Sequence, residues 1–243
     1  MRAAVLRAQT RIELLLTVRR PESLLVSLVI PLGILVFFAR VDSISSVDDP
    51  VEFLVPGVLA LAVMSTAMVS LGIATGYERR YGVLKRLGST PLSRSGLLVA
   101  KTANVLLIEI VQAVVIVLTG IALGWDPTVG VIPAVALLLI GTVAFAGIGM
   151  LLAGTLRAEA NLALANGLFL VLLFLGGMAY PLSRLPDAIR VFAEALPAAA
   201  LSQCVRGVLA PENAHLPLAS LAVLLVWAIG APLLAVRFFR WEE

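Results

Sequence analysis

The sequence is poor in the residues that do most enzymatic chemistry. It has one cysteine, Cys204, and one histidine, His215. A single cysteine excludes an intramolecular disulfide and any multi-cysteine metal site. With one imidazole beside it, metal-dependent hydrolysis and Cys–His nucleophilic catalysis have almost no material to work with. No span supplies a positioned base for a serine nucleophile. No G-x-x-x-x-G-K-[ST] loop is present, so the chain does not cradle ATP in the P-loop manner. Charge is also scarce. Charged residues make up 14% of the chain and hydrophobic residues 60%, against about 25% and roughly 45–50% in soluble domains. So much apolar surface has no soluble interior to fill, and lipid is its solvent. The net charge of +3 does not indicate nucleic acid, because the cations sit at the ends of apolar runs, where lipid phosphate and topology account for them.

Six apolar runs approach or reach the roughly 20 residues that a helix needs to cross a bilayer: 22–39, 53–76, 97–124, 131–155, 162–180 and 216–238. They are too long for barrel strands, and backbone groups in lipid must be satisfied within the segment, so helices are expected. The first run is the weakest, being short and interrupted by Pro31. It lacks a small-x-small cleavage site and ends in Phe37-Phe38-Ala39-Arg40, so a secretory signal peptide is not expected. With the N-terminus inside, Arg2, Arg7, Arg11, Arg19, Arg20, Arg79, Arg80, Lys85, Arg86, Arg94, Lys101, Arg157, Arg237 and Arg240 are cytoplasmic. Only Arg40, Arg184, Arg190 and Arg206 then face out, a ratio of 14 to 4 that predicts both termini inside. Asp42, Asp48, Asp49 and Glu52 fall in the first outer loop.

Three segments do not span. Residues 1–20 place Val5, Ala8, Ile12, Leu15 and Leu16 on one helical face, opposite Arg7, Thr10 and Arg11, which predicts a helix lying in the inner interface. Residues 181–215 predict an outer hairpin of two short helices, the first opened by Pro186 and either closed by Pro197 or followed by a second that Pro197 starts. The third, from Gly76 to Arg94, holds five basic residues and one acid in nineteen positions. Too charged to cross hydrocarbon, it is the best candidate for a surface that meets a soluble partner. The glycines of Gly147-Ile148-Gly149 and Gly176-Gly177 read as close helix packing rather than phosphate binding.

One ionisable residue lies well inside a span. Glu109 follows Lys101 by eight residues, about 12 Å deeper along a helix, with Asn104 and Gln112 on the same segment. A buried intramembrane acid costs about 2.5 kcal/mol or more unless it faces protein or water, so a translocation path and a packing hydrogen bond are the two readings.

The basic segment also carries an ordered pattern: Glu78-Arg79-Arg80-Tyr81-Gly82-Val83-Leu84-Lys85-Arg86-Leu87, then Thr90-Pro91-Leu92-Ser93. It resembles the cytoplasmic loop between spans two and three of type-2 ATP-binding-cassette transporter permeases. The bacterial drug and antibiotic exporters of the daunorubicin-permease kind look most similar. The likeness covers the whole chain, including an N-terminal interfacial helix, six spans and a re-entrant outer hairpin with Tyr180-Pro181, Leu185-Pro186 and Leu196-Pro197.

The resemblance implies an all-α membrane protein, a single permease domain over 1–243 with a coupling loop at 77–92, in a bacterial inner membrane. It implies multidrug efflux or antibiotic resistance as the setting. It also implies pairing with a second permease subunit, as a homo- or heterodimer, and with ATPase subunits that hold the ATP and magnesium, since this chain needs no cofactor of its own. Glu78, Arg79, Arg80, Tyr81, Gly82, Leu84, Arg86 and Leu87 would dock the ATPase. The family form often has acids where Arg80 and Lys85 stand, so the partner groove is expected to be more acidic. Two other classes compete. A secondary transporter usually shows repeats and broken helices around midplane ions, and neither is visible here. A non-transporting scaffold or immunity protein would not need the loop pattern.

Overall fold

A computed structural model of the chain describes residues 9–13, 21–40, 50–90, 92–126, 130–178, 180–210 and 214–242, with the backbone alone for 21–26. Helices account for all the regular structure among these residues. In chain order they are α1 (Pro21–Arg40), α2 (Pro50–Arg80), α3 (Val83–Gly88), α4 (Arg94–Ala122), α5 (Val131–Thr155), α6 (Ala158–Leu175), α7 (Asp187–Glu194), α8 (Pro197–Leu209) and α9 (Leu218–Phe238). Helices α2, α4, α5, α6 and α9 are each long and apolar enough to cross a membrane. In α1, expected as the weakest span, the described apolar part is the shorter stretch Ser27–Arg40. Residues 9–13 are helical. The rest of the expected interfacial helix and residues 41–49 of the first outer loop lie outside the described residues, while Glu52, expected in that loop, sits in the first turn of α2.

Helix α2 is the buried centre. Most of its apolar window is enclosed by α1, α4, α5 and α8, whereas α4, α6 and α9 leave most of theirs uncovered. The uncovered faces are themselves apolar, with Ile110, Val114 and Leu118 on α4 and Val226, Ile229 and Leu233 on α9. In water such surfaces would be a liability, and lipid is the solvent they match.

Glycine sets how closely α2 and α5 approach. A Cβ on Gly149 would stand 2.6 Å from the Met68 carbonyl oxygen, and one on Gly72 would stand 3.1 Å from the Gly149 carbonyl. The small-residue seam is therefore a packing device, as the sequence suggests. Residues Ser65–Ser70 of α2 form a π-helical turn next to this seam, a local widening that departs from the regular helix expected over 53–76.

Two expected boundaries move. The expected span 162–180 is helical only over Ala158–Leu175, and Gly177 takes φ 63° in the turn that follows. That left-handed backbone is open to glycine at no steric cost, so this glycine terminates the segment instead of packing inside it. The expected loop 77–92 is mostly helical. Helix α2 runs on to Arg80 and α3 begins at Val83, so Tyr81 and Gly82 alone make the corner. The two short helices form: Pro186 caps α7 as expected, Pro197 takes the second of the two roles open to it, in the first turn of α8, and the two helices bend by 83°. Helix α8 is buried along nearly its whole length against α2, α5 and α9.

Candidate functional site

The α2–α3 corner is a fixed platform. Gly82, at φ 72°, lets the chain turn between the two helices. Leu84 is fully buried and Leu87 packs beside it on the core, an anchor that stabilises α3 by about 1.5–3 kcal/mol for the leucine alone. The C-terminal residues hold the far side. Trp241 lies over Gly88, where a Cβ would come within 3.0 Å of its ring, and Lys85 Nζ pairs with Glu242 Oε2 at 3.0 Å. Arg94 Nη1 donates to the Arg237 carbonyl at 3.4 Å, and the Arg240 amide donates to the Gly154 carbonyl at 3.1 Å.

The residues expected at a docking surface divide into two groups. Arg79 is buried, and its Nη2 donates to the Leu156 carbonyl at 2.5 Å, tying the end of α2 to the turn between α5 and α6. Leu84 points inward as well, and Glu78, Gly82 and Leu87 are half-buried. Arg80, Tyr81 and Arg86 face outward together with Val83, and Tyr81 is 72% exposed. Arg80 pairs with Glu159 of α6, and the Tyr81 ring stacks on Tyr77 with centroids 6.1 Å apart. So the exposed face is one aromatic, one valine and, with Lys85, three cations on a buried base. Arg79, expected to contact a partner, is a structural tie instead, because its guanidinium finds a carbonyl within the bundle.

Glu78 makes a contact that sequence spacing does not show. Its Oε2 lies 2.8 Å from Lys101 Nζ, and Glu13 Oε1 lies 3.1 Å from the same nitrogen. Lys101 is 2% exposed. One buried cation on α4 therefore joins the helical stretch 9–13 to the end of α2. Gln9 Nε2 donates to Glu13 Oε1 at 2.9 Å and completes the cluster.

Deeper in α4, Asn104, Glu109 and Gln112 are all buried, and the last two meet different neighbours. Gln112 accepts from Thr66 Oγ1 at 3.0 Å and donates to Ser27 Oγ at 3.1 Å, linking α4 to the π-helical turn of α2 and to α1. Glu109 faces α5, where Thr142 Oγ1 lies 2.5 Å from its Oε2 and 2.9 Å from the Leu138 carbonyl. The single hydroxyl proton serves one of these acceptors at a time. Glu109 Oε1 has no hydrogen-bond partner among the described residues.

Sequence reasoning missed one further polar contact. Arg206 of α8, counted only as an outer cation, donates through Nη2 to the Gly177 carbonyl at 2.9 Å, and its guanidinium lies 3.8 Å from the Phe53 ring centroid. It pins the hairpin to the first turns of α2. The only sequence signal was a lone charged residue in a mostly apolar helix.

Several apolar helices of spanning length around a buried central helix define a multi-pass membrane protein. A family model described as ABC-2 type transporter matches residues 5–210, most of the chain. The chain belongs to that family, and it is the membrane permease part of such a transporter. Membership implies an ATP-binding subunit as partner. A search of curated proteins finds no match.

Proposed function

We propose that this chain is the permease subunit of an ATP-driven exporter that moves an amphipathic substrate outward. In this reading it lies in a bacterial inner membrane with both termini cytoplasmic, and the exposed α2–α3 corner docks a separate ATPase subunit that holds ATP and magnesium. A second permease subunit completes the translocation unit. The observation that carries the reading is the anchored corner: Tyr81, Val83 and Arg86 stand outward from a base fixed by Leu84, Arg79 and Trp241. A partner pushing on such a corner moves α2 rather than bending a loop. Helix α2 contacts the hairpin through Phe53 at its other end, and a Cβ on Gly57 would overlap the Met178 carbonyl. A displacement therefore has a continuous packed route across the bilayer.

The test is Tyr81→Ala combined with Arg86→Glu. Truncating a central interfacial aromatic costs about 2 kcal/mol or more, and reversing the cation leaves an acid on the partner uncompensated. Co-purification of the ATPase subunit should fall by at least about 30-fold while membrane insertion stays normal. Unchanged association and unchanged export would show that the segment serves topology alone.

A further inference from the structure

A groove of about 250 Å³ opens between α2, α4 and α5. Leu59, Val63, Ala113 and Leu138 contribute to its walls, and Ile110 and Val135 line it while remaining exposed. Its lining is apolar except for Glu109 and Thr142. The volume is just below the range of about 300–1,000 Å³ typical of small-molecule sites, and a few polar groups on apolar walls are the usual composition of such sites. Glu109 is 8% exposed, and its Oε1 is buried without a partner among the described residues. An unmatched carboxyl oxygen in a span is costly to maintain unless something arrives to meet it.

We infer that this groove binds a small amphipathic amine from within the membrane, with its apolar body between α4 and α5 and its ammonium on Glu109. Charge complementarity selects the head group. Lys101, the cation next along α4 on the Arg94 side, is held by Glu13 and Glu78. Depth selects the size. Glu109 is fifteen residues into the twenty-nine of α4, about 22 Å from its start, where a phospholipid cannot bring its amine without burying its phosphate. The site deepens the exporter reading and rests on it only for the statement that the occupant is cargo. Binding is measured on the permease without any ATPase, so failure of docking and failure of binding are separate results.

The probe is dansylcadaverine, a fluorescent apolar amine, compared with its N-acetyl derivative on the full chain in nanodiscs. Saturable binding of the amine, at least tenfold tighter than the acetylated probe, is expected on the unaltered protein. Glu109→Gln should weaken the amine about tenfold and leave the acetylated probe unchanged. Ala113→Phe, which fills the groove, should abolish saturable binding of both. Equal affinity for the two probes on the unaltered protein overturns the head-group assignment without reference to any variant. Undiminished binding in Ala113→Phe overturns the location. Disulfide cross-linking of Ile110→Cys in a Cys204→Ser background would place a second copy of the chain over the groove and overturn the proposal.

Discussion

Replacing Lys101 by methionine isolates a buried cation held by two carboxylates. The ammonium lies 2.8 Å from Glu78 and 3.1 Å from Glu13, and methionine keeps most of the side chain's length while removing the charge. Two carboxylates are then left facing one another with no cation. Removing one partner of a buried pair costs about 3–5 kcal/mol, most of it the uncompensated charge left behind. The Glu78 side chain retains 28% exposure, so water offsets part of the loss and the lower end of the range applies. At about 2–4 °C per kcal/mol for a chain of this length, a loss of about 3 kcal/mol lowers the unfolding midpoint by about 6–12 °C. Tryptophan fluorescence during a thermal scan of the purified protein reads this directly, because Trp241 packs over Gly88 beside the same corner. The triple variant Lys101→Met, Glu13→Gln, Glu78→Gln removes all three charges together and should recover most of the midpoint. A midpoint within about 1 °C of the unaltered protein for Lys101→Met, or a triple variant no better than the single one, refutes the reasoning.

Cysteines introduced singly at Ser93 and Ser183 in a Cys204→Ser background test the proposed orientation. Ser183→Cys should react with an impermeant maleimide in sealed cells and Ser93→Cys only after permeabilisation; early labelling at Ser93 reverses the topology. Gly149→Val tests the α2–α5 seam. Its side chain would meet the Met68 and Ala67 carbonyls, and overpacking of about 1–3 kcal/mol should lower the unfolding midpoint by several degrees. Gly167→Ala on α6, where a Cβ meets nothing within 4 Å, should not lower it, and an equal drop in both variants would remove the seam from the account.

What the sequence made legible follows from which interactions are local. Hydropathy located α2, α4, α5, α6 and α9 because apolar length is a property of one segment. The Pro186 start of α7 was legible for the same reason, and Pro197 was legible as a helix boundary, though not as the start of α8 rather than the end of α7. Proline fixes φ and lacks an amide proton, so its preference for a first turn is written in the residue itself. The end of α6 was misplaced because hydropathy continues past Leu175, whereas the turn depends on Gly177 reaching φ 63°. Nothing in apolar content reports that.

The partition of the corner was hidden for a different reason. Charge count identifies Gly76 to Arg94 as a segment outside the hydrocarbon, but it treats Arg79, Arg80 and Arg86 alike. What separates them is geometry across the bundle: Arg79 meets a carbonyl seventy-seven positions away at Leu156, Arg80 meets Glu159, and Arg86 extends into solvent. Glu109 and Gln112 diverge by the same logic. They are three residues apart, close enough on one helix to suggest a shared site. Yet three steps of about 100° leave the two side chains about 60° apart around the helix, enough for Glu109 to meet α5 while Gln112 meets α1 and α2. A polar pair at that spacing acts as one site only when a single neighbour covers both positions. Here α4 has neighbours on both flanks, so Gln112 becomes a tie between helices while Glu109 keeps an oxygen that no described residue meets.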